Sequence, residues 1–108
     1  MKILFDQGTP LPLKGCLITH DVHTAHEQGW STLHNGDLLI AAENDHFEAI
    51  ITTDQNLRYQ QNLNQRKLAI LVLLTTSWPR IRARADDVLR AVAKLKPNDY
   101  VELPFPRC

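Results

Sequence analysis

Seven consecutive apolar residues, Leu68-Ala69-Ile70-Leu71-Val72-Leu73-Leu74, constrain this chain more than any other feature of it. Successive side chains of a strand point to opposite faces, so an alternating strand can keep one face in water. An unbroken apolar run has no face to spare. It fits the centre of a parallel sheet, with helices covering both sides. Ile50-Ile51-Thr52-Thr53 is a second β-branched run of the kind that favours a pleated, buried surface. Both runs end in polar residues, Asp54 after the first and Thr75-Thr76-Ser77 after the second.

The other segments supply what such a sheet needs. Lys2–Phe5 reads as a first strand, ending at Asp6. Pro10 and Pro12 suit the first turn of a helix over roughly 10–18, which Leu11, Leu13 and Leu17 would pin down and Gly15 weakens. His20–Thr24 is thin in apolar residues, as an edge strand can be, and Trp30 reads as the anchor of the connection that follows. A helix over 35–46 starts with Asn35 or Gly36 near its N-cap and turns Leu38, Leu39 and Ala42 to the sheet. Residues 47–53 form the third strand, the polar stretch 56–61 a short helix, and 63–66 a loop. From Ser77 as N-cap, one amphipathic helix carries Ile81, Ala85, Val88, Leu89 and Val92 along a single stripe. Lys96-Pro97-Asn98 ends it, and Tyr100–Leu103 is a last short strand. The alternation predicts a single three-layer α/β domain with a mostly parallel sheet.

Composition excludes several alternatives. At 108 residues, 44% hydrophobic, the chain can bury a core and need not be disordered. Formal net charge is zero, so nucleic acid would have to be met by a local patch. No apolar run is long enough to span a bilayer, and the N-terminus does not read as a signal peptide. Cys16 and Cys108 make neither a disulfide framework nor a zinc motif. A soluble, cytoplasmic protein is expected.

Three acids stand where strands end or a helix begins: Asp6, Asp37 and Asp54. Ligands of open α/β sheets bind outside the carboxyl ends of the strands. Carboxylates gathered there repel one another and call for a cation, and an oxygen-only set suits Mg²⁺ or Mn²⁺. Such a metal activates water and offsets charge on a phosphodiester. Taken singly, each acid could merely cap a turn, and Asp37 could merely offset its helix dipole.

Several segments in order carry a family resemblance: Ile3-Leu4-Phe5-Asp6-Gln7-Gly8-Thr9-Pro10, His20-Asp21-Val22, Gly36-Asp37-Leu38-Leu39 with Ala41-Ala42, Ile50–Leu57, and the strand at 68–74. In these the chain resembles the short bacterial PIN-like proteins, a group related to PIN-domain nucleases and once catalogued as a domain of unknown function. The resemblance spans nearly the whole chain. It implies a PIN-like fold and a metal-dependent ribonuclease acting on RNA, often the toxin partner of an antitoxin protein, and leaves room for a homodimer. It places the catalytic and metal-binding roles on Asp6, Asp37 and Asp54. Asp6 and Asp54 would be direct ligands. Asp37 would be a ligand or would position the attacking water. Thr53 and Asn56 would support the ligands or touch substrate. Relatives often carry a Glu after the first Asp and another acid two residues beyond the third; here Gln7 and Asn56 stand in those places. A site so short of carboxylates should hold a second metal poorly.

Three other readings compete. A phospho-receiver would use Asp6, Asp54 and Thr75 or Thr76, but lacks paired acids after the first strand and a Lys after the last. A non-catalytic binding module would dock a basic partner at the acidic edge. His20, His23 and His26 invite a metal reading, yet residues three apart on a strand face opposite ways. Arg80, Arg82, Arg84 and Arg90 read as a solvated helix face paired with Asp86 and Asp87, with Arg80, near the helix start, placed to meet a phosphate.

Overall fold

The computed structural model describes residues 1–33, 35–55 and 67–105. The apolar run becomes β4 (Ala69–Leu73), buried at every position. It lies between β3 (Ala49–Thr52) and β5 (Tyr100–Leu103). β1 (Lys2–Phe5) and β2 (Asp21–Thr24) complete one sheet in the order β2-β1-β3-β4-β5, and every neighbouring pair is parallel. β2 is an edge strand, as its thin apolar content suggested.

The pleat divides the strand residues between two cores. Ile3, Phe5, Ala49, Ile51, Ala69, Leu71 and Leu73 share one with Leu13, Leu17, Ile81, Val88 and Val92. Leu4, Ile50, Ile70 and Val72 face the other, against Leu38, Leu39 and Ala42 of α1 (Asn35–Asn44). Helical segments therefore cover both faces, and the architecture is three-layered. Trp30 packs half-buried on the second core, its ring edge-on to Phe47 at 5.9 Å, so it does anchor its connection.

Local structure departs from the sequence reading in three places. The segment expected to be helical over 10–18 is a short 3₁₀ helix, Leu11–Cys16. Pro10 and Pro12 lack N–H donors and Gly15 is a poor helix former, so a full α-helix has little support there. Leu13 and Leu17 are buried as expected, but Leu11 stays 60% exposed. Helix α1 ends at Asn44 rather than 46; His46 adopts a left-handed φ of 65°, and the Phe47 N–H returns to the Ala42 carbonyl at 2.9 Å. That is a helix-terminating geometry.

The helix after Ser77 is two helices, α2 (Trp78–Ala83) and α3 (Ala85–Lys94), separated by Arg84 at φ −125°, ψ 32°. Ser77 is the N-cap of α2 without a side-chain capping bond. The break gives Asp86 and Asp87 a new helix N-terminus to offset. Asp87 also pairs with Arg84 at 3.4 Å and Arg90 at 2.8 Å. These pairs are partly exposed, so Asp87→Ala should destabilise by about 1 kcal/mol or less in urea denaturation. A larger loss would mean that the pairs hold the interhelix angle. Among the described residues, no helix is long and apolar enough to cross a membrane. The expected helix at 56–61 and the position of Asn56 lie outside the described residues.

Candidate functional site

The strand order reverses between β1 and β3: from β1 the chain moves to one side to form β2, then returns to the other side as β3. Sheets of this order bind ligands at that switch point, outside the carboxyl ends of the strands. Asp6 follows β1 and Asp54 follows β3 by two residues, so the β1–β3 pairing sets the two acids at the same edge of the sheet.

Asp6 is held closely. Its N–H donates to the Ile51 carbonyl at 3.3 Å. Its Oδ1 accepts from the Thr9 N–H at 3.1 Å and lies 2.7 Å from the Thr9 hydroxyl, and its Oδ2 accepts from the Thr52 hydroxyl. The Thr52 Oγ1 in turn accepts the Asp54 N–H at 3.0 Å, joining the two strand ends through one buried oxygen. Burial pushes the Asp6 carboxyl above its ordinary 3.8, against the opposing bonds from Thr52, Thr9 and Gly8. The Thr9 Oγ1 also lies 2.7 Å from the Ile51 carbonyl, so its one proton is shared between that carbonyl and Asp6.

The loop Gln7-Gly8-Thr9 lies against the end of β3. A Cβ on Gly8 would fall 2.6 Å from Thr53 Oγ1 and 3.8 Å from Asp6 Oδ1, so a larger residue there would oblige the loop or Thr53 to shift. Gln7 turns outward, donating from Nε2 to the carbonyls of Trp30 at 3.3 Å and Ser31 at 2.7 Å. Thr53 and Asp54 are half-buried where the chain leaves β3. Asp37 is exposed in the first turn of α1, and Arg80 is half-buried on α2, which follows β4.

A cavity of about 1070 Å³ opens beside Asp6 and runs along β2, past Lys14, Ile18, His20, His23 and His26. All three histidines line it, although only His23 lies within β2. His23 Nε2 stands 2.8 Å from Asp21 Oδ1, and its ring is edge-on to Phe47. Among the described residues, no group of three or more His, Cys, Asp or Glu side chains could hold a metal ion. A smaller donor set suits Mg²⁺, which keeps several waters and commonly takes only one or two protein carboxylates. Asp6 and Asp54 are the carboxylates that follow the two strands, and the hydroxyls of Thr9 and Thr52 lie against Asp6.

Thr9, Thr52 and Gly8 were absent from the sequence reading of the site. Their signal was available in Asp6-x-Gly8-Thr9 and in Thr52 two places before Asp54. Threonine in a β-branched run reads first as strand, which hid the hydroxyl's role. In comparisons with known proteins, no family model, no curated protein and no solved structure matches the chain.

Proposed function

We propose that this protein is a PIN-like ribonuclease dependent on Mg²⁺ or Mn²⁺, acting as the toxin of a toxin–antitoxin pair. The observation that supports the reading best is the Thr52 bridge at the β1/β3 switch point, with Asp6 on one side and Asp54 on the other. These two carboxylates would hold the cation. Its contribution would be to acidify water and offset charge on the scissile phosphodiester. Thr9 and Thr52, both buried, keep the Asp6 oxygens oriented. Asp37, exposed in the first turn of α1, would accept a hydrogen bond from the attacking water. Arg80 would meet a phosphate, while Thr53 and Asn56 would contact the ligands or the RNA.

The test incubates the purified protein, without any partner, with structured and unstructured RNAs and each metal. Cleavage should need Mg²⁺ or Mn²⁺, stop with chelator, and be lost in Asp54→Asn. Activity surviving that substitution would trace to a contaminant and end the mechanism. Silence across a broad RNA panel would favour a non-catalytic PIN-like module that binds a basic partner at the same edge. The strand order supports one further reading, since receiver domains share it. A receiver would take a phosphoryl group on Asp54 from a small phosphodonor and leave RNA intact. Against it, β5 runs into Pro104 and Phe105 where a receiver carries lysine.

A further inference from the structure

Gln7 follows Asp6 directly, at the end of β1. Its surroundings are built for a donor. The amide nitrogen carries two protons and has two carbonyl partners, Trp30 O and Ser31 O. A carboxylate in its place would have no proton to offer and would set negative oxygens against two carbonyl oxygens. We infer that Gln7 is a positioning residue: its amide straps the turn that follows β2 to the end of β1, on the stretch of chain that leads to Asp37. The link to Asp37 rests on the ribonuclease reading; the strap itself does not.

The strap acts on a defined turn. The connection leaves the sheet at Ala25, whose N–H donates to the Phe5 carbonyl at 2.8 Å. The Trp30 N–H closes back on the Ala25 carbonyl at 2.8 Å, and the Leu33 N–H donates to the Trp30 carbonyl at 3.0 Å. Gln7 thus shares the Trp30 carbonyl with Leu33, two residues before α1 starts. The Trp30 ring packs on Phe47, so the turn is pinned from the core on one side and from Gln7 on the other. Gln7 itself is exposed, and replacing it removes no core contact.

Amide exchange at Leu33, read in Gln7→Ala and Gln7→Glu, tests the strap, with melting curves confirming that both variants fold. Losing two hydrogen bonds at roughly 1 kcal/mol each should lower Leu33 protection about tenfold or more in both at neutral pH. The two variants then part on acidification. The carboxyl introduced by Gln7→Glu can donate only when protonated, so folding raises its pKa. Its support is present below the unfolded value of about 4.3 and lost as pH rises through the folded one. Gln7→Glu should regain protection in acid relative to wild type, and Gln7→Ala should not. Mn²⁺ affinity should fall in both. Unchanged Leu33 protection in Gln7→Ala would overturn the strap, and tighter Mn²⁺ binding by Gln7→Glu would make position 7 a ligand place instead. If the wild type binds no Mn²⁺, the ribonuclease reading fails alone, because the exchange result still decides the strap.

Discussion

Asp6→Asn should yield a protein that melts higher than wild type at neutral pH without metal, yet cuts RNA at least about 100-fold more slowly. The second half follows from the proposed ligand role. Changing groups that merely support metal ligands typically costs about 10- to 100-fold in affinity or activity, and a ligand should matter at least as much. The first half follows from burial. The carboxyl is held above its ordinary 3.8 chiefly by desolvation, despite the donors around it. A group whose folded pKa exceeds its unfolded one adds stability below the unfolded value and loses it as pH rises through the folded value. At neutral pH the ionised Asp6 is therefore a liability that an amide of the same shape avoids. The difference in melting temperature should be small near pH 3.8 and widen towards pH 7. The metal-induced rise in melting temperature, which depends on binding to the folded state alone, should shrink in the variant. Wild type melting above Asp6→Asn at neutral pH would show that the hydroxyl cage stabilises the ionised carboxylate outright.

Gly8→Ala should destabilise by roughly 1–3 kcal/mol, the range for overfilling a packed position. The added methyl would lie 2.6 Å from Thr53 Oγ1, closer than real contacts allow, and Asp6 Oδ1 waits at 3.8 Å. Either the Gln7–Thr9 loop lifts off or Thr53 turns away. Lifting the loop would also pull the Thr9 N–H and hydroxyl from Asp6. Thr53→Ala removes the obstructing oxygen and leaves its Cβ at 4.0 Å, an ordinary contact. The double variant should recover most of what Gly8→Ala loses, a coupling measurable by a double-mutant cycle in urea. Additive losses would place the strain elsewhere in the loop.

The layering of this protein was legible in one dimension. A strand that alternates or fails to alternate announces which of its faces are buried, and Leu68–Leu74 could only be central. Asp6 and Asp54 were legible for the same reason, as polar residues at the ends of buried runs. Arg84 and the 3₁₀ turn at Leu11–Cys16 were not, because an apolar stripe says where a helix faces and little about where it breaks.

Only the tertiary structure decided what surrounds the acids. Nothing local to Phe5 and Ala49 states that β1 neighbours β3, yet that pairing makes the crevice. Thr9 reaches the Ile51 carbonyl across 42 positions of sequence and Thr52 reaches Asp6 across 46. Gln7, a plain amide in the sequence, acquires two carbonyl partners 23 and 24 positions away. A side chain's partners are set by which backbone passes beside it after folding. The residue types at the strand ends could therefore be read beforehand, while the burial that raises one carboxyl's pKa and the hydrogen bonds that occupy one amide could not.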